Sequence, residues 1–564
     1  MHNYVNSFMT NLVIRIVFLI FVAALTITLG SPIYGTTDDY ILSSFIDGNY
    51  TGQSEIRSIF IEPLISLIMY FFQILFPAIT IYSIFLSIIL IFSLAIFWTI
   101  LNKLNVSKYL EIIWILFSSG IIVWFTLSPT YTASSMVSTA INLTSLMILT
   151  SNKIELNNQK VLIVVISILF SLSYLIRPES GIAVILIFFF FIILKIVREM
   201  ANKNINYKNY LISILTVCLI YILNFAITQN QKNEEWSMYN SWNSMRHQIQ
   251  QRLPEEKLLD IRSEIGWTIP EYHLFMNLSF GDSKEFNSDW LKPAFTQTQE
   301  YRGFNAIINF DKNIVFQKIM ETYEKYQNYI IFNLIILIFI ITFFKFNMQT
   351  YLIFISSILI IALIICYISI ALHTPERVIV PLLLFPLLLI IYSLISEKTY
   401  KRKRIANVYF FLATIVFTIV IGVIFNLRNS ENILKIREAK IKNKWLSDFD
   451  NSGIFIGPVG TETYHLTSPY LRQNLNDLPI IFTIGNWETF SPNWFKRINH
   501  LGLKSNSAYD NLFDENVFWI SYPQPDNAYL VELYLKEKNY PPFTRENKKE
   551  HESGLTIYKF NEAK

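Results

Sequence analysis

The chain has 564 residues, of which 52% are hydrophobic and only 16% charged, against about 25% charged in an ordinary soluble domain. With a mean hydropathy of +0.38, a water-soluble single chain is excluded. The 46 Lys and Arg against 42 Asp and Glu leave a net charge of +4, too little for a nucleic-acid footprint. The two cysteines, Cys218 and Cys366, both lie in apolar runs and can build neither a disulfide framework nor a Cys-based zinc site.

In chain order, the first apolar run extends from Leu12 to Leu29, longer than a signal-peptide core. Gly30-Ser31-Pro32-Ile33 after it is a poor cleavage site, so it reads as an uncleaved membrane helix. Ten further runs approach the ~20 residues that span a bilayer, at about 78–101, 110–127, 133–150, 160–176, 181–197, 209–228, 327–344, 350–371, 378–396 and 405–425. The predicted fold is therefore a polytopic α-helical membrane protein of about 11 spans with juxtamembrane helices, and a multispanning domain over 1–425.

The run from Ile59 to Phe76 carries Glu62-Pro63 near its start and Gln73 near its end. Counted as a non-span, it leaves the short inner loops holding Lys103, Lys108, Lys153, Lys160, Arg198, Lys203, Lys208, Lys345, Lys398, Lys401, Arg402, Lys403 and Arg404, and the short outer loops only Arg177 and Arg377. By the positive-inside rule that asymmetry reads Ile59–Phe76 as a helix lying in, or dipping into, the outer membrane face. It also puts the amino terminus in the cytoplasm and the carboxyl-terminal domain outside.

Three hydrophilic regions then face outward: loop 31–57, loop 228–326 and a tail over 426–564. The tail alternates strand-like runs, Gly453–Gly457, Ile480–Ile484, Val517–Ser521 and Leu555–Lys559, with a helical stretch from Ala528 to Lys538, and predicts a small soluble α/β domain. The long loop combines aromatic residues such as Trp236, Tyr239, Trp242, Trp267 and Trp290 with Glu234, Arg246, His273 and Asp282. That mixture suits a carbohydrate surface and an interface-anchored lid equally.

Candidate site residues stand in the outer loops. Asp38 and Asp39 lie a few residues beyond the first span, where a falling dielectric raises a carboxyl's proton affinity or demands a cation; this is how a general base is made. Thr-Asp-Asp before Tyr40-Ile-Leu is equally a helix-capping pattern, and the two roles are compatible. Arg177, in Arg177-Pro178-Glu179, and Arg377, after Glu376, each stand alone at a helix end. An arginine at membrane depth needs a partner or a polar cavity, and its fork suits phosphate. Snorkelling, or pairing with Glu179 or Glu376, is the structural alternative. His373, four residues before Arg377, could serve a phosphate or a metal. The H-E-x-x-H metal motif and Gly-rich phosphate loops are missing from the sequence.

The layout resembles the GT-C superfamily of multispanning glycosyltransferases. The likeness rests on an inside amino terminus, one span, and the acidic pair Asp38-Asp39 followed by Tyr40. Glu62-Pro63-Leu64 stands where a Pro-Pro-Leu segment is common, and Arg177-Pro178-Glu179, Glu376-Arg377 and an outer carboxyl-terminal domain complete it. Asp in place of Glu in the pair, and Glu in place of the first Pro, depart from the pattern.

The resemblance implies an inverting transfer of a sugar from a polyprenyl-phosphate donor to a glycan, lipid or protein acceptor at the outer face of a bacterial plasma membrane. It implies Asp38 or Asp39 as catalytic base, Arg377, Arg177 and His373 at the donor phosphate, and Tyr40, Glu179 and Glu376 in support. It leaves a divalent metal open, since some relatives use one and others do not, and names no protein metal ligand. The competing readings are an outer-face polysaccharide polymerase and a transporter or flippase for a lipid-linked substrate. The spans, nearly free of ionisable residues, disfavour the latter.

Overall fold

The computed structural model describes residues 2–151, 158–201, 206–231, 233–252, 258–260, 262–298, 312–343, 348–371, 375–396, 407–450, 452–461, 466–472, 479–522 and 526–563. Among the described residues, ten helices are long and apolar enough to cross a bilayer: Asn11–Leu29, Ile81–Lys103, Lys108–Leu127, Tyr131–Leu149, Gln159–Ile176, Pro178–Ala201, Tyr207–Asn230, Thr350–Ser369, Glu376–Ser396 and Thr414–Ser447. The eighth predicted run, 327–344, falls on the helix Lys312–Phe343. The protein is thus a polytopic helical membrane protein with a small carboxyl-terminal sheet domain.

The Ile59–Phe76 run yields a helix of only 13 residues, Pro63–Leu75, about 20 Å long and too short to cross. Its buried face carries Ile65, Ser66, Met69 and Gln73, while Phe71, Phe72, Ile74 and Leu75 are exposed. Gln73, polar in an apolar run, donates to the Ile79 carbonyl at 3.0 Å and accepts the Ile81 N–H at 3.1 Å. It thereby closes the backbone break at Pro77.

The centre of the bundle is the helix Tyr131–Leu149, every residue of which is buried. Its sequence is unusually rich in Ser, Thr and Ala for a membrane helix, and small residues let neighbouring backbones approach closely. Ser134 donates to the Leu86 carbonyl, and Asn142 donates to the Ser93 and Ser173 hydroxyls. The helix Glu376–Ser396, also largely buried, packs beside it. The amino end of this central helix opens at the same end of the bundle as Asp38, Arg177 and Arg377.

The tail forms a five-stranded sheet in the order β2-β1-β3-β5-β4. Strands β1 (Ile454–Pro458), β2 (Ile480–Ile484) and β3 (Val517–Ser521) are parallel, and β4 (Phe543–Glu550) and β5 (Thr556–Glu562) form an antiparallel hairpin against β3. Four strands and the Asn527–Glu537 helix match the predicted runs. Strand β4 was not visible in the sequence because it is an edge strand: its Thr-Arg-Glu-Asn-Lys-Lys-Glu run is mostly exposed, and charge on an edge guards it against further pairing.

Among the described residues, loop 228–326 contains the helices Glu234–Arg252, Ile269–Met276 and Ser288–Gln297 and the start of Lys312–Phe343. The loop's aromatic residues Trp236, Tyr239, Trp242, Trp267 and Tyr272 are buried in one core with Ile456, Phe482, Trp494 and Trp519 of the tail. Trp267 and Trp290 stack at 3.8 Å and 2°. These rings pack on protein, which accounts for their abundance without a carbohydrate surface. The tail is docked on the loop after the first membrane helix by an ion pair from Lys496 to Glu55 at 2.6 Å and by Arg497, which donates to the Asn49 and Tyr50 carbonyls.

Candidate active site

The candidate site is built on a short helix, Thr37–Asp47, in the loop that follows the first membrane helix. Thr36 caps it, accepting the Asp39 N–H at 3.3 Å and donating its hydroxyl to Asp39 Oδ2 at 2.6 Å. The capping reading of Thr-Asp-Asp is therefore realised, and the cap turns the two aspartates into different surroundings.

Asp39 is fully buried. Its Oδ1 accepts the Tyr82 hydroxyl at 2.7 Å and the Tyr131 N–H at 2.8 Å. Tyr131 opens the central helix behind its N-cap Thr130, so a carboxylate sits at a helix amino terminus, where it neutralises orphan donors and the helix dipole. Burial pushes the Asp39 carboxyl up to about 6, although the Arg377 charge and the donors from Thr36, Tyr131 and Tyr82 all pull it down.

Asp38 faces the other way and keeps 20% of its side chain exposed. Its Oδ2 accepts Arg377 Nη1 at 2.9 Å, across 339 positions of sequence, and its Oδ1 accepts the Trp487 indole N–H at 2.9 Å. Arg377 also donates to the Thr36 hydroxyl at 3.0 Å. Arg377 stands at the start of Glu376–Ser396, and Arg177 caps the carboxyl end of Gln159–Ile176. Both guanidiniums lie over the ring of Tyr131, at 4.7 Å for Arg177 and 5.9 Å for Arg377. Arg177 also lies over Phe60 at 5.8 Å and donates to the Thr132 hydroxyl.

The Nε atoms of Arg177 and Arg377 and the Tyr131 hydroxyl are buried without a hydrogen-bond partner. Orphaned donors of this kind are costly unless a ligand satisfies them, and three converge around one ring. Arg246, buried on the Glu234–Arg252 helix, adds a third positive charge within electrostatic reach of Asp38; burial lowers its proton affinity, and Tyr239, Glu488 and Asp38 raise it. It is held by Asn243 and Gln250.

The remaining predicted residues have other surroundings. Glu376 pairs not with its neighbour Arg377 but with Arg428, and also accepts the Trp124 indole N–H at 3.1 Å and the Tyr329 hydroxyl at 2.9 Å. Glu179 is exposed on the first turn of Pro178–Ala201 and makes no ion pair with Arg177 among the described residues. Tyr40 is half-buried with its ring edge-on to Tyr34 at 5.7 Å. His373 lies outside the described residues.

Sequence reasoning missed Trp487, Tyr131 and Arg428, and named Arg246 only within the mixed polar and aromatic run of loop 228–326. Arg428 stands one turn beyond the last apolar run, where the helix Asn407–Ser447 continues out of the bundle. That continuation, rather than a motif, was the signal.

Among the described residues no group of three His, Cys, Asp or Glu side chains is placed to hold a metal ion. Both oxygens of Asp38 already face N–H donors, and those of Asp39 face three. This donor-rich, cation-bearing surrounding does not fit a divalent ion.

No protein-family model matches the chain, and no curated protein matches it. The fold is similar to the crystal structure of ArnT from Cupriavidus metallidurans in the apo state. The match covers 96% of this chain and 97% of that one, with a TM-score of 0.39 and 8% identity. The likeness is one of overall layout and assigns no side chain a role.

Proposed function

We propose that the protein is an inverting, GT-C-type glycosyltransferase that moves a sugar from a polyprenyl phosphate to an acceptor hydroxyl at the outer face of the membrane. The observation that carries the reading is the Asp38–Arg377 pair at 2.9 Å, with Arg177 on the same tyrosine ring. An acid and two guanidiniums from three distant segments meet at one end of an apolar bundle.

Of the two aspartates, Asp38 is the base in this reading and Asp39 the strut that fixes it. Asp39 is enclosed and saturated with donors, whereas Asp38 is reachable and held by one neighbour that an anion can draw away. The donor phosphate competes for Arg377 and takes up the idle Nε donors, which frees Asp38 Oδ2. That oxygen then accepts the proton of the acceptor hydroxyl as the acceptor oxygen bonds to the anomeric carbon. The bond from that carbon to the phosphate oxygen breaks, and the electron pair leaves with the polyprenyl phosphate. Negative charge grows on the departing phosphate, where fixed guanidiniums lower the barrier most. An ordered course follows: the base is released only after the donor has bound.

The test is genetic and chemical. Deleting the gene and restoring it as wild type or D38N, with mass spectrometry of the lipid extract, should show a polyprenyl-phosphate sugar accumulating in the deletion and in D38N but not in the wild type. Lipid-linked sugars unchanged by the deletion would refute the reading. A lipid-linked oligosaccharide that accumulates equally in the deletion and disappears on restoration with D38N would transfer the assignment to a polymerase.

A further inference from the structure

The residue that holds Asp38 Oδ1 does not belong to the membrane bundle. Trp487 lies in the outer domain, in the turn that follows β2, and only 5% of its surface is exposed. The turn is built to fix it. Gly485 has φ +80°, and a Cβ there would stand 1.9 Å from the Leu278 carbonyl oxygen, so only glycine lets the chain reverse against loop 228–326. The Trp487 N–H is bound by Asn486 Oδ1 at 2.8 Å, and its carbonyl accepts the Tyr239 hydroxyl. The indole is wedged edge-on against Phe60 at 4.9 Å and Phe45 at 6.1 Å. Phe60 in turn stacks on Tyr131 at 5.8 Å and 24°, the ring that both guanidiniums share. The docking contacts of Lys496 and Arg497 lie on the Pro492–His500 helix just beyond this turn.

We infer that Trp487 is a positioning residue of the transfer reaction and that the outer domain serves to deliver it, completing the site from above. The inference rests on the reading of Asp38 as base. A carboxylate on a two-rotor side chain points in one direction only while both oxygens are held. Once a phosphate draws Arg377 from Oδ2, the indole N–H on Oδ1 is the contact that keeps the carboxyl plane fixed, with Oδ2 open to the acceptor. An indole is a donor only and does not ionise near neutral pH, so it orients the base without competing with it for the proton.

Two measurements on the full chain in lipid nanodiscs test this. In protein labelled with 15N-tryptophan, the Trp487 indole resonance is identified by its loss in W487F; it should move in D38N, which weakens the acceptor. W487F, which keeps the ring and removes the N–H, should lower kcat for transfer from a polyprenyl-phosphate sugar by about 10–100-fold. The donor KM and the thermal midpoint should match wild type. A Trp487 resonance indifferent to D38N, or W487F turning over at the wild-type rate, overturns the inference while leaving the base reading intact. A loss in W487F that appears only as a lowered thermal midpoint overturns it too, since a purely structural ring would do the same. If W487F does not fold, the resonance is assigned instead by its loss in W487Y, and its response to D38N decides alone. If D38N transfers sugar as fast as wild type, the base reading falls and the positioning role with it, whatever the resonance shows.

Discussion

The Asp39 carboxylate accepts the backbone N–H of Tyr131 at 2.8 Å and so ties the loop after the first membrane helix to the amino end of the central membrane helix. In D39A, the Tyr131 N–H, the Tyr82 hydroxyl and the Thr36 hydroxyl lose their acceptor in a buried place. The variant should be less stable by about 2–4 kcal/mol, read as a lowered thermal midpoint in detergent. D39N, whose amide oxygen still accepts from Tyr82 and Tyr131, should lose less. Equal losses in the two variants would contradict the strut role.

The same residue gives the protein a pH signature. Asp39 is pushed from an ordinary 3.8 up to about 6 by burial, so between roughly pH 4 and 6 the folded state binds more protons than the unfolded one. Stability from this group therefore falls as pH rises through that window and levels off above it. Asp47, buried at the other end of the same helix, is pushed to about 6 by burial as well and adds in the same direction. The stability of wild type relative to D39N should decline from pH 4 to pH 6; a relative increase over that range would contradict the assignment.

Arg428 and Glu376 form the knot that sets the amino end of the Glu376–Ser396 helix, and hence Arg377. Arg428 also donates to the Ser128 hydroxyl at 3.2 Å. R428M leaves a largely buried carboxylate with its tryptophan and tyrosine donors but no cation, and should cost roughly 2–4 kcal/mol. The double variant E376Q/R428M should recover part of that loss, because the uncompensated charge is gone. Thermal unfolding of wild type, E376Q, R428M and the double variant decides the point, and strictly additive losses would count against it.

The membrane part was legible because its physics is one-dimensional. Apolar runs of spanning length and the Lys and Arg between them locate the helices, and the short Pro63–Leu75 helix follows from the same charge count. Asp38, Arg177 and Arg377 stand out in the sequence as candidates because polar groups beside a bilayer are costly without a purpose. Their convergence does not: which way Asp38 and Asp39 face depends on how a capped helix turns its first residues. Trp487, Arg246 and Arg428 enter only through tertiary docking. Trp487 lies 449 positions from the carboxylate it touches, and an Asn-Trp-Glu turn carries no sequence mark of that meeting. The aromatic residues of 228–326 suited a sugar surface and a lid equally by composition; their burial against the sheet settles them as core.

Arg377 should be intolerant of lysine. Lys keeps the charge but loses the planar fork and the Nε donor, so R377K should lower transfer about 10–100-fold and R377A by more, on the order of 10²–10³-fold. Because the arginine and Asp38 act on one another, D38N and R377A combined should be far less than additive. The check is release of polyprenyl phosphate from a panel of polyprenyl-phosphate hexoses and pentoses.

The most direct measurement is sugar transfer by purified wild type and D38N in nanodiscs, with folding matched by thermal midpoint and the anomeric configuration of donor and product read by NMR. Transfer with inversion in the wild type, and a fall of at least about a thousandfold in D38N with donor binding retained, is the predicted result. D38N turning over at the wild-type rate, or a product that keeps the donor's configuration, would contradict it.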